Sequence, residues 1–186
     1  MRAGTRRFYA LLQGTGRLQT LREQERLRGD AAGFEGLIGF VNNLLPVNEV
    51  IGQALRKSVP MYPELAIREL VANALIHQDL SVIGSGPMVE IFDDCMEITN
   101  PGTPLMEPQR MLDHPPRSRN ESLASLMRLI GVCEERGSGV DKVVFQTELY
   151  QLPAPAFEIV GDSMRATLFA PRPLALMDRD DRIRAV

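Results

Sequence analysis

PELAIRELVANALIHQD, residues 63–79, has the composition and spacing of a helix and the strongest pattern in the chain. Pro63 suits a first helical turn, where a missing N–H costs nothing, and Glu64 favours the positive end of the helix dipole. Ile67, Leu70, Val71, Ala74 and Leu75 recur at steps of three and four, the period of an amphipathic helix. Glu69, Asn73 and His77 follow at i, i+4 and i+8 and stack as a polar ridge beside that stripe. Asn and His are poor helix formers in mid-helix. The ridge is therefore either an ordinary solvated face or part of a site, and the rest of the chain has to decide.

Working outward, Met88–Phe92 and Met96–Thr99 alternate apolar and polar residues around Asp93-Asp94-Cys95, which predicts a hairpin over 88–99. It delivers Asn100-Pro-Gly102-Thr-Pro104 at a strand end, where open α/β sheets commonly bind ligands, although Asn-Pro and Gly would make a turn there anyway. Five prolines within 101–116 predict an irregular loop. Leu123, Leu126, Met127 and Ile130 predict a helix over 121–130 stopped by Gly131. Gly137-Ser138-Gly139 then opens a helix over 140–149, an arrangement that lets backbone N–H groups approach an anion; alone, such a motif is weak. A closing hairpin is expected over 157–169.

Toward the N-terminus, Phe34, Leu37, Ile38, Val41, Leu44 and Leu45 predict a helix over 34–45. Asn48 reads as the cap of a further short helix carrying Val50, Ile51 and Leu55 and closed by Pro60. Arg7–Gln13 reads as a strand, and the charged stretch 17–29 has little pattern.

The 186 residues suffice for one substantial core, and 44% hydrophobic with 24% charged residues is ordinary for a globular protein. No run of about 18 apolar residues occurs, so no membrane partner is expected. Cys95 and Cys133 are far apart and only two histidines are present, which argues against a zinc site and suits a reducing, cytoplasmic setting. The net charge of −3 is uneven. Residues 1–30 carry seven Arg against Glu23, Glu25 and Asp30, which reads as a nucleic-acid contact or as a solvated arm.

The order of these pieces resembles the GHKL (Bergerat) ATP-binding fold of gyrase, heat-shock 90 chaperones, histidine kinases and mismatch-repair ATPases. Within it, the strings ELVANALIHQD (69–79), EITNPG (97–102), SRN (118–120) and ERGSGVDKV (135–143) are similar to those of a bacterial branch of transcriptional regulators. The resemblance runs from Tyr62 to Phe169. It implies a two-layer α/β sandwich, a mixed sheet with helices on one face. It also implies residues 1–30 as the remnant of a Schlafen/Alba-like DNA-binding domain, 31–170 as the ATP-binding domain, and 171–186 as a linker toward a winged helix.

Carried over residue by residue, the resemblance makes Asn73 the Mg²⁺ ligand and Glu69 the carboxylate that orients or deprotonates the attacking water. His77 and Asp79 fall at the pocket rim, and Gly102 beside the adenine. Gly137, Ser138 and Gly139 cradle phosphate, with Arg136 and Lys142 as charge partners. Asn100 stands where the superfamily normally has Asp accepting from the adenine amine, which implies weaker or altered base recognition. Two functions follow. One is an ATP- and Mg²⁺-binding module, at most a weak ATPase, acting as a switch in a regulator that meets DNA through its flanking domains. The other is a degenerate domain without nucleotide, serving in homodimerisation or as a spacer.

Overall fold

Alternation along the second strand of the central hairpin sets the two faces of the sheet. Met96, Ile98 and Asn100 are buried on one side, while Cys95, Glu97 and Thr99 are half-exposed on the other. Twelve elements follow in order in this computed structural model, which describes residues 8–17, 20, 22–26, 30–45, 47–51, 56–108, 117–133 and 139–172. They are β1 (Phe8–Gly14), β2 (Arg22–Arg26), α1 (Asp30–Leu44), β3 (Val47–Ile51), β4 (Arg56–Pro60) and α2 (Glu64–His77). After α2 come β5 (Met88–Phe92), β6 (Cys95–Pro101), α3 (Glu121–Leu129), α4 (Gly139–Leu149), β7 (Ala156–Val160) and β8 (Ser163–Phe169).

Six strands form one sheet in the order β2-β1-β5-β6-β8-β7. Only β1 against β5 is parallel, so the sheet is mixed. The helices cover one face, giving the two-layer α/β sandwich expected from the sequence. Val89, Ile91, Met96, Ile98, Ala166 and Leu168 point from the sheet into the core, and Phe34, Val41, Ile67, Val71 and Met127 meet them from the helices. The period-2 pattern of the strands and the period near 3.6 of the helices meet in one apolar layer.

Helix α2 is buried on more than one side. Ala66, Ile67, Leu70, Val71, Ala74 and Leu75 are joined by Ala72 and Ile76, because α2 packs against β6 and against α1, α3 and α4. Glu64 and Leu65 in the first turn are exposed, and the line through Glu69, Asn73 and His77, with Arg68 beside it, is only partly buried.

Three expectations need correction. The segment after Pro46 is a hairpin, not a helix: β3 and β4 pair antiparallel from Val47↔Pro60 to Ile51↔Arg56. Val47, Val50, Ile51 and Val59 are β-branched and lose side-chain freedom in a helix, so pairing wins. The charged stretch after Arg17 contains β2, which pairs with β1 at the edge of this same sheet. The described parts of residues 8–26 thus supply two strands to this sheet. Arg17 itself is engaged internally. It donates to both carboxylate oxygens of Glu90 at 2.9 and 3.0 Å and also to Glu97. Glu90 is 3% exposed, and the bidentate guanidinium is what makes burying its charge tolerable.

The third correction concerns α3 and α4. Leu126, Ile130 and Leu149 are largely exposed; Ala124 and Met127 in α3, and Val143 and Thr147 in α4, are the buried positions. Both helices are short and touch their neighbours along one narrow line, so the rest of the apolar spacing faces outward.

Candidate functional site

The half-exposed line of α2 faces a cavity of about 410 Å³. Glu69, Asn73 and His77 form one wall, Gly139 and Lys142 of α4 another, and Ile98 and Asn100 of β6 part of the floor. Six residues expected from sequence are therefore brought to one concavity from segments far apart in the chain: Glu69, Asn73, His77, Asn100, Gly139 and Lys142. Arg136, Gly137 and Ser138 lie outside the described residues, as do residues 109–116 of the proline-rich loop.

Helix α4 comes close to α2 at Gly139. A Cβ there would lie 2.9 Å from Glu69 Oε2 and 3.3 Å from Asn73 Nδ2, so a side chain at 139 would push aside the ends of both polar side chains. Three residues on, Lys142 Nζ sits 3.7 Å from Glu69 Oε1, with both side chains mostly shielded. This pair holds the carboxylate against the cavity wall.

Gly102 and Asp79 stand one layer behind the cavity. Gly102 has φ +99°, and a Cβ on it would approach Asp79 Cβ to 2.7 Å and Asp79 N to 3.1 Å. The Asp79 N–H donates to the Pro101 carbonyl at 2.7 Å, and the Gly102 N–H to the Asp162 carbonyl at 2.8 Å. The end of α2, the end of β6 and the β7–β8 turn are thereby tied together. Hydrogen bonds from the Ser81 hydroxyl and backbone N–H, with Arg119 nearby, hold the Asp79 carboxyl below the usual carboxylate range. Asp79 is a structural anchor, and no cavity contact places it at the rim.

His77 lies in the wall and is mostly buried. Burial first, and then the positive charge of Arg119, push its imidazole below the ordinary value of 6.5, so it is neutral near pH 7. The folded state binds this proton less readily than the unfolded chain. Its contribution to stability is full above about pH 6.5 and is lost as pH falls from there toward the folded value. Stability measured by denaturant unfolding should fall on acidification below pH 6.5, and His77→Gln should flatten that part of the profile.

Two residues of the site carried no individual role in the sequence reading. Arg119 Nη2 donates to the Thr103 carbonyl and Nη1 lies 3.5 Å from Asp79 Oδ2. Asn120 occupies the position before α3 but makes no cap to it. Its Nδ2 donates instead to the carbonyls of Ile76 and Gln78, at 2.7 and 2.8 Å, satisfying the end of α2. Their signal was the SRN string itself, polar residues at a helix start; their partners lie 16 to 44 residues away. Asn120→Ala strands those carbonyls and should cost about 1–3 kcal/mol of stability, read by thermal unfolding.

The charge of the cavity differs from that of the chain. Arg117, Arg119, Arg128 and Lys142 line it against the carboxylates of Glu69 and Glu121, in a protein whose net charge is −3. The arrangement suits an anionic ligand. Among the described residues no cluster of three or more His, Cys, Asp or Glu could cage a metal. What the wall offers is the Asn73 amide oxygen with the Glu69 carboxylate one turn away. That donor set fits Mg²⁺, which takes one or two protein oxygens and completes its shell with phosphate and water.

Comparison with known proteins agrees with this architecture. Residues 84–168 match the HATPase_c_4 family, described as "Putative ATP-dependent DNA helicase recG C-terminal". This part of the chain is thus similar to an ATPase-like domain; the matched span contains Asn100, Gly102, Gly139 and Lys142 and begins after α2. No curated protein matches the chain. Among solved structures, the DIP2311 protein from Corynebacterium diphtheriae superimposes with a TM-score of 0.81 at 24% identity over 93% of this chain. The chain spans 36% of the length of that structure, and the likeness is one of fold.

Proposed function

We propose that this domain binds a nucleoside triphosphate with Mg²⁺, ATP being the reference ligand, as a switch within a longer DNA-associated regulator. The observation that carries the reading is the meeting of Glu69 and Asn73 of α2 with Gly139 of α4 where two walls of a cationic cavity join over an apolar sheet floor. A nucleotide has the matching halves, a charged phosphate chain and a flat base. The ATPase-like family match supports the same assignment.

In this reading Asn73 Oδ1 holds the cation, and the cation, when bound, neutralises phosphate charge. Lys142 and the cavity arginines meet the remaining phosphate oxygens as point charges and forks. The bare backbone of Gly139 at the start of α4 lets the phosphates approach the helix N-terminus. Glu69 positions or deprotonates the water in any hydrolysis, and its pairing with Lys142 keeps that activity weak. DNA is met by parts of the longer protein flanking this domain, and nucleotide occupancy changes their arrangement or assembly. The experiment is a calorimetric titration of the protein with MgATP and with ATP in EDTA. Saturable binding that weakens without Mg²⁺ supports the proposal; no heat in either titration overturns it.

A further inference from the structure

Among the described residues, the sheet contributes Ile98, Asn100, Phe157, Met164 and Ala166 to the cavity. The registers Asn100↔Met164, Ile98↔Ala166 and Phe157↔Ala166 make them one continuous patch. Asn100 is its sole polar side chain and is 6% exposed. Its Nδ2 reaches the Pro101 carbonyl at 3.4 Å, beyond the usual range of an N–H···O bond. A buried amide in apolar surroundings needs a stronger partner than this, and so little holds it in one of its two flipped orientations.

We propose, on the nucleotide reading above, that Asn100 makes the base site permissive, accepting 6-keto purines such as inosine nucleotides as well as adenine nucleotides. The argument is one of donors and acceptors. Adenine presents an N–H at position 6 beside a bare N1, and an Asn amide meets them with its oxygen and its N–H. Hypoxanthine presents a carbonyl at position 6 beside an N1–H, and the same amide, turned by 180°, meets those equally well. A carboxylate in this place accepts but does not donate: opposite position 6 it bonds adenine's amine, whereas with hypoxanthine it can bond only the N1–H and sets its charge against the 6-carbonyl. The flat apolar floor of Phe157, Met164 and Ala166 does not distinguish the two rings, which differ only along that polar edge. Selection between them therefore falls to residue 100.

The test is equilibrium binding of MgATP and MgITP to the protein and to two variants. In the parent the two dissociation constants should lie within about tenfold, the worth of one ordinary hydrogen bond. In Asn100→Asp the ratio should open to about 100-fold in favour of ATP, since the 6-carbonyl then faces an unpaired charge. In Asn100→Leu both ligands should weaken by a similar factor, and this variant keeps the test available should the buried Asp impair folding. ATP binding with ITP weaker by about 100-fold in the parent would overturn the inference while leaving the nucleotide reading intact. An unchanged ratio in a folded Asn100→Asp would do the same. Failure of both nucleotides to bind the parent would overturn the nucleotide reading, and this inference with it.

Discussion

Gly102→Ala is expected to lower the stability of the domain by roughly 2–5 kcal/mol, the largest single-site effect that the fold implies. Two costs combine. At φ +99° an L side chain is strained wherever it sits, and here the new Cβ would also lie 2.7 Å from Asp79 Cβ. The neighbouring Asp79 N is 3.1 Å away, so the clash involves backbone that is itself fixed by the Pro101 carbonyl. The melting temperature should drop by about 5–15 °C for a chain of this size. Gly161→Ala provides the comparison, because Gly161 also has positive φ but nothing within 4 Å of its added Cβ. That variant should lose only about 1–2 kcal/mol, the strain alone. Equal losses in both variants would mean that the contact between Gly102 and Asp79 contributes nothing.

Asn73→Ala should weaken MgATP binding by about 100-fold or more, with little change in melting temperature. Asn73 is half-exposed on the cavity wall and is not part of the apolar core, so its loss should be felt by the ligand and hardly by the fold. Glu69→Gln separates binding from chemistry. It keeps the shape at the Gly139 contact and removes the base, so affinity should stay within about threefold while any turnover disappears. Calorimetry gives the affinities, and phosphate release gives the turnover. Loss of binding in Glu69→Gln with retention in Asn73→Ala would reverse the roles assigned to these two residues.

Much of this was legible in the sequence where one period dominated. The ridge Glu69–Asn73–His77 follows from helical spacing alone, and both hairpins follow from strict alternation around short turns. The segment 47–60 was misread because its apolar residues satisfy helical steps as well as strand alternation, and no local feature marks which partner it finds. Strand β2, Arg-Glu-Gln-Glu-Arg, has no apolar alternation at all; its place is set by pairing with β1. The parallel pairing of β1 with β5 spans most of the N-terminal half and leaves no local trace.

The site divides in the same way. Asn73 and Gly139 stood out locally, as an amide in mid-helix and as a glycine opening a helix; Asn100 was singled out only through the family resemblance. Arg119 and Asn120 escaped because their work is done at a distance, on Asp79, Thr103, Ile76 and Gln78. Leu126 and Ile130 fit the apolar spacing of an amphipathic helix, yet α3 is too short and too lightly packed to bury them.

The central claim is that the cavity beside α2 takes a magnesium nucleotide, and thermal unfolding with and without MgATP tests it most directly. A ligand at about 100 times its Kd that binds only the folded state adds about 2.7 kcal/mol, which should raise the melting temperature by roughly 5–10 °C. That rise should be absent from Asn73→Ala at the same concentration. An unchanged melting temperature in the parent at millimolar MgATP would contradict the account and leave the domain as an ATPase-like fold serving as a spacer or dimerisation unit.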